Sequence, residues 1–90
     1  MSQDIFPLLQ DDVARAIVGI CRERQTASAI NAKMERYYET HGYSIPVDLA
    51  ERVARRLQDL EQVGAMVFDK DLRTWTSSKE AIEVLDKYYP

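Results

Sequence analysis

The strongest constraint in this chain is a single change of hydrophobic period. Leu49, Val53, Leu57 and Leu60 recur at helical spacing, with Ala50 and Ala54 beside them, and the stripe stops at Gly64. Immediately afterwards the pattern becomes strand-like: Ala65, Met66, Val67 and Phe68, then the polar Asp69, Lys70 and Asp71, then Leu72, Arg73, Thr74, Trp75 and Thr76. Two β-prone runs around a short polar turn predict a hairpin over about 65–76. Pro46 suits the first turn of the preceding helix, where proline's missing amide would be unpaired anyway, so that helix is expected over about 46–63. Its apolar stripe must be covered by something.

The rest of the sequence supplies helices to cover it. Asp11 and Asp12 precede a run in which Val13, Ala16, Ile17, Ile20 and Cys21 share one face, which predicts a helix over about 11–24. Thr26 or Ser28 can cap a second helix, from about Ala27 to His41, carrying Ile30, Met34, Tyr37 and Tyr38 and stopped by Gly42. Ser77 or Ser78 can cap a last helix bearing Ala81, Ile82, Val84, Leu85 and Tyr88. Residues 1–10 are expected to form a loose N-terminal extension, with Phe6, Leu8 and Leu9 as material for a short extra turn that Pro7 would keep irregular. The expected order is helix, helix, helix, hairpin, helix, an α+β class that is mainly helical.

Ninety residues, 46% of them apolar, hold one small core and one domain. That core is too small to wall off a large active site. A single cysteine, Cys21, and a single histidine, His41, give neither a disulfide nor a recognisable zinc spacing, so no metal and no cofactor is expected. Cys21 lies on an apolar stripe, where a thiol is usually a small buried hydrophobe, and no phosphate loop, dinucleotide fingerprint or catalytic motif is present. The expectation is therefore a protein that is not an enzyme. No run approaches the ~18–20 consecutive apolar residues of a membrane span. The first nine residues lack the basic head and apolar stretch of a signal peptide, so a cytoplasmic location is expected. The net charge of −3 is spread almost evenly along the chain, which excludes a strongly basic tail but not local basic patches.

Three helices followed by a hairpin, with a glycine between the third helix and the first strand, resemble a winged helix-turn-helix domain. The residues that carry the resemblance are Val53, Arg55, Leu57, Leu60, Glu61, Gly64, Met66 and Val67. They are similar in spacing to the end of the recognition helix in small regulators of the PadR, MarR and ferric-uptake-regulator types. The run from Arg73 through Trp75 to Leu85 is similar to the second wing strand and following helix of PadR- and MarR-like proteins. The resemblance covers roughly residues 11–86. It departs from the pattern in a long second helix and in the connector Gly42 to Ile45, which is not a clear three-residue turn. It implies a sequence-specific DNA-binding protein, a small transcriptional regulator. Double-stranded DNA would be the partner, and a homodimer would form through the terminal segments 1–24 and 79–90.

On that reading the face of the third helix opposite its stripe meets DNA. Arg52, Arg55, Arg56 and Gln58 are the candidate contacts there, with Lys70 and Arg73 as auxiliaries on the wing. Arg55 and Gln58 suit guanine and adenine edges, and Tyr43 and Ser44 could meet phosphate. The same arginines also admit a structural explanation. Asp48 with Arg52 and Glu51 with Arg55 are acid-before-base pairs one turn apart, Arg55 can reach Asp59, and Asp69 and Asp71 flank Lys70. A winged-helix module that binds a protein partner without DNA is the alternative. The acidic net charge and the surplus tyrosines Tyr37, Tyr38, Tyr43, Tyr88 and Tyr89 motivate it.

Overall fold

The computed structural model describes residues 2–90, with side chains from residue 4 onward. The first helix, α1 (Ser2–Leu8), occupies the segment expected to be a loose extension. A helix this short is marginal alone, and Pro7 denies it one amide. It is held by packing: Ile5 and Leu9, one turn apart, are fully buried. Each such aliphatic side chain contributes roughly 1.5–3 kcal/mol on burial, enough to outweigh a weak helix.

Helix α2 (Asp12–Ile20) is capped by Asp11, whose carboxylate accepts from the Ala14 amide at 2.9 Å. It stops four residues before the expected end at 24, because the chain turns into a short strand, β1 (Gln25–Thr26). Arg22, just beyond the end of α2, pairs with Asp86 of the last helix segment. Helix α3 (Ala27–Thr40) follows at once, capped by the Thr26 hydroxyl, which accepts from Ala29 N at 3.1 Å. Gly42 closes it at φ +73°, a conformation that glycine adopts without steric cost. The Tyr43 amide then reaches back to the Tyr38 carbonyl at 2.8 Å and the Gly42 amide to Glu39 at 3.1 Å.

Helix α4 (Leu49–Gln62) begins later than expected. Pro46 lies outside it, its carbonyl accepting from the Leu49 amide at 3.2 Å, and Asp48 holds the capping position. The stripe Leu49, Val53, Leu57 and Leu60 is buried against the other helices, as its spacing predicts. Gly64 ends the helix at φ +78°, and Ala65 N donates to Leu60 O at 2.8 Å.

The hairpin is present with a shifted turn. Strands β2 (Met66–Asp69) and β3 (Thr74–Ser77) pair antiparallel, with Phe68 opposite Trp75 and Asp69 opposite Thr74. Asp69 is therefore the last strand residue, not the first turn residue, and Leu72 leaves the strand for solvent. The reason is local. The Asp69 carboxylate accepts from the amides of Asp71 and Leu72 at 2.9 and 3.1 Å, and Arg73 closes the loop in the left-handed region at φ +54°. The Trp75 and Phe68 rings meet at a tilt with centroids 4.7 Å apart, both half-buried, and Trp75 packs on the core.

The central strand is β3, flanked by β2 and by β1, which pairs Gln25 with Trp75 and Thr26 with Thr74. Ser77 stitches this sheet to α2: its amide donates to Cys21 O at 2.8 Å and its hydroxyl to Val18 O at 2.7 Å. Ser78 then caps α5 (Lys79–Tyr88), accepting from Ala81 N at 3.2 Å. Helix α5 packs against α1 and α2. The result is an α+β fold of five helices and one three-stranded antiparallel sheet. Among the described residues no helix is long and apolar enough to cross a membrane.

Candidate nucleic-acid interface

Burying the stripe of α4 leaves Glu51, Arg52, Arg55, Gln58 and Gln62 exposed on the opposite side. The ion pairs around them differ from those the spacing suggests. Arg52 donates from Nε to the Asp48 carboxylate at 3.1–3.2 Å, as an exposed pair one turn apart. Diverted to Arg52, the Asp48 side chain makes no capping hydrogen bond to the helix. The expected pair of Arg55 with Asp59 does not form, because Asp59 turns to Arg56 instead, and the expected pair of Arg55 with Glu51 does not form either.

Arg56 is the least exposed of these arginines. Its Nε donates to Asp11 and its Nη1 to Asp59, each at 3.1 Å, which ties α4 to the N-terminal cap of α2. The Asp11 hydrogen bond holds the guanidinium above its ordinary pKa range, with Asp59 adding to it and partial burial opposing. Arg56 is thus anchored in the fold, and the pairing spans 45 positions in sequence. Neither helical spacing nor local charge signals it, although Asp11 was legible as a cap.

Arg55 has no ion pair and Gln58 no side-chain hydrogen bond among the described residues. The same holds for the ion pairing of Lys70 and Arg73 on the hairpin loop, both exposed. The Asp69 carboxylate that was expected to offset them is turned inward to the loop amides. Between α2 and α4 lies a cleft of about 300 Å³, lined by Asp11, Val13, Asp48, Arg52, Arg55 and Arg56.

Next to the start of α4 an aromatic group gathers at the end of α3. His41 Nδ1 donates to Tyr37 O at 2.8 Å, and its ring lies 4.4 Å from Tyr37 and 5.9 Å from Tyr43. Tyr43, Ile45 and Val47 are exposed along the connector. Cys21, by contrast, is fully buried, and desolvation pushes its thiol up to about 12. No group of three or more metal-ligating side chains occurs among the described residues. No protein-family model, no curated protein and no solved structure matches the chain.

Proposed function

We propose that this chain is a winged-helix DNA-binding protein, a small cytoplasmic transcriptional regulator in which α4 enters the major groove and the β2–β3 hairpin acts as the wing. The order of elements from α2 to β3 supports the fold reading. The short strand β1 between α2 and α3, absent from the sequence expectation, completes a three-stranded sheet around the hairpin. The observation that carries the functional reading is the division of charges on α4 and the loop. Asp48 and Asp59 are paired with Arg52 and Arg56 and the Asp69 carboxylate accepts from loop amides, while Arg55, Lys70 and Arg73 keep free cationic heads beside Glu51, Glu61 and Asp71, exposed acids that make no ion pair among the described residues. Free exposed cations beside an amphipathic helix are what phosphate contacts require. Gln58, exposed one turn from Arg55, has the amide suited to an adenine edge.

Dimerisation through the terminal helices is part of the proposal. Phe6 of α1 and Tyr88 of α5 pack in a tilted arrangement with ring centroids 4.7 Å apart and remain 37% and 50% exposed, an aromatic patch of the kind interfaces favour. One observation favours the second reading, a protein-interaction module: Tyr43, Ile45 and Val47 present apolar surface beside the start of α4. Fluorescence anisotropy with a labelled duplex at low ionic strength separates the two. The DNA reading expects binding there, where phosphate attraction is strongest, and absence of binding to any duplex refutes it.

A further inference from the structure

We infer that the cleft between α2 and α4 is a phosphate-class oxyanion site with Arg55 as its capturing residue. The cleft, about 300 Å³, is at the lower end of the range for small-ligand sites and has three arginines among its lining residues. Two of them have carboxylate partners. Arg52 is fixed through Nε by Asp48, which leaves both of its terminal nitrogens uncommitted among the described residues. Arg56 is fixed through Nε and Nη1 by Asp11 and Asp59, which leaves Nη2 uncommitted. Arg55 contributes a whole guanidinium with no partner.

The two carboxylates on the wall, Asp11 and Asp48, each already accept from an arginine, and Asp11 also accepts from the Ala14 amide. With Asp59, which pairs with Arg56 from behind the lining, three carboxylates balance the three arginines, and the one cation of the set without a carboxylate partner is Arg55. The surplus N–H donors point to a ligand with several acceptor oxygens and negative charge. Guanidinium groups in fixed orientation favour phosphate, whose oxygens accept forked hydrogen bonds, over a simple halide. A cationic ligand would be repelled, and a neutral acceptor would gain hydrogen bonds without the charge assistance that an oxyanion adds.

This deepens the DNA reading and rests on it only for the source of the phosphate, which would be a backbone phosphodiester. Arg55 would then position α4 on the duplex and would not read a base, so it contributes affinity without sequence preference. A free phosphate ester would meet the same donors.

The test uses the full chain in two arms. In the first, pyrophosphate is titrated at low ionic strength and followed by ¹H–¹⁵N correlation spectra that include arginine side chains. The expected result is saturable shifts at Arg52, Arg55 and the Asp11 to Val13 amides. Arg55→Gln should weaken binding about threefold to tenfold, Arg55→Lys should restore part of it, and Arg36→Gln, exposed on α3 and outside the cleft lining, should change nothing. Unmoved cleft resonances, or equal affinity for Arg55→Gln, overturn the site whether or not the protein binds DNA. In the second arm, wild type and Arg55→Gln are compared on several duplexes. A uniform loss with a salt slope smaller by about 0.9 identifies the phosphodiester as the source. A loss confined to one sequence makes Arg55 a base reader and overturns the positioning role. Saturable pyrophosphate binding without duplex binding upholds the oxyanion site with a free ester as its source and refutes the DNA reading alone.

Discussion

Arg56 sits at the junction of α2 and α4, where one guanidinium joins the cap of the first helix to the last turns of the second. Replacing it with methionine keeps most of the apolar stem and removes the head, leaving Asp11 and Asp59 side by side without a cation. The three side chains are 33–39% exposed, so solvent screening limits the cost to about 1 kcal/mol. Urea denaturation of Arg56→Met should show that loss with an unchanged m-value, and equal stability would mean that the pairing holds nothing. Cys21 gives a pH signature of known sign. Its thiol stays protonated in the folded chain up to about 12, whereas an unfolded thiol ionises near 9. The folded state therefore binds more protons in that window. Its contribution is complete below pH ~9 and is lost as pH rises from there towards 12. Between pH ~8 and pH ~10 the wild type should lose about 1 kcal/mol more stability than Cys21→Ala, a comparison that cancels the titration of lysines and tyrosines. Equal losses would contradict the burial assigned to the thiol.

The β2–β3 loop shows the same economy in a short element. Arg73 carries a side chain at φ +54°, a conformation that costs a non-glycine residue about 1 kcal/mol. Arg73→Gly and Arg73→Ala both remove the charge, so their difference isolates the backbone: glycine should be more stable by about 1 kcal/mol in thermal or urea unfolding. Equal stability would show that the loop does not hold residue 73 left-handed. Helices α2 to α5 were legible because each writes its packing into the spacing of its apolar residues. The stripe of α4, the caps Asp11, Thr26 and Ser78, and the stops Gly42 and Gly64 all follow from local chemistry. Strand β1 was not legible, since Gln25 and Thr26 have too few residues for any period and owe their conformation to Trp75 and Thr74 across the sheet. The start of α4 was misplaced because Pro46 fits either side of a helix boundary. Helix α1 looked weak because Pro7 is a local signal, whereas the burial of Ile5 and Leu9 is a tertiary one. At the candidate site, spacing identified the outward face of α4 but assigned Asp59 to the wrong arginine, because its choice depends on Asp11 arriving from α2.

Taken whole, the molecule carries a net charge of −3, so its long-range field repels a duplex and any attraction must come from a local arrangement of cations. The fold favours that arrangement by pairing Asp48 with Arg52 and Asp59 with Arg56 and by turning Asp69 to the loop amides, which leaves Arg55, Lys70 and Arg73 exposed beside the unpaired acids Glu51, Glu61 and Asp71. An affinity built this way is short in range and steeply dependent on salt. The most direct measurement is the slope of log affinity against log salt for a mixed-sequence duplex, from about 20 to about 200 mM, read by fluorescence anisotropy. The wild type should bind at the low end. Combined Arg55→Gln, Lys70→Gln and Arg73→Gln should reduce the magnitude of the slope by about 2.7, or roughly 0.9 for each phosphate contact removed. No binding at about 20 mM, or a slope that the triple substitution leaves unchanged, would contradict DNA recognition through α4 and the wing.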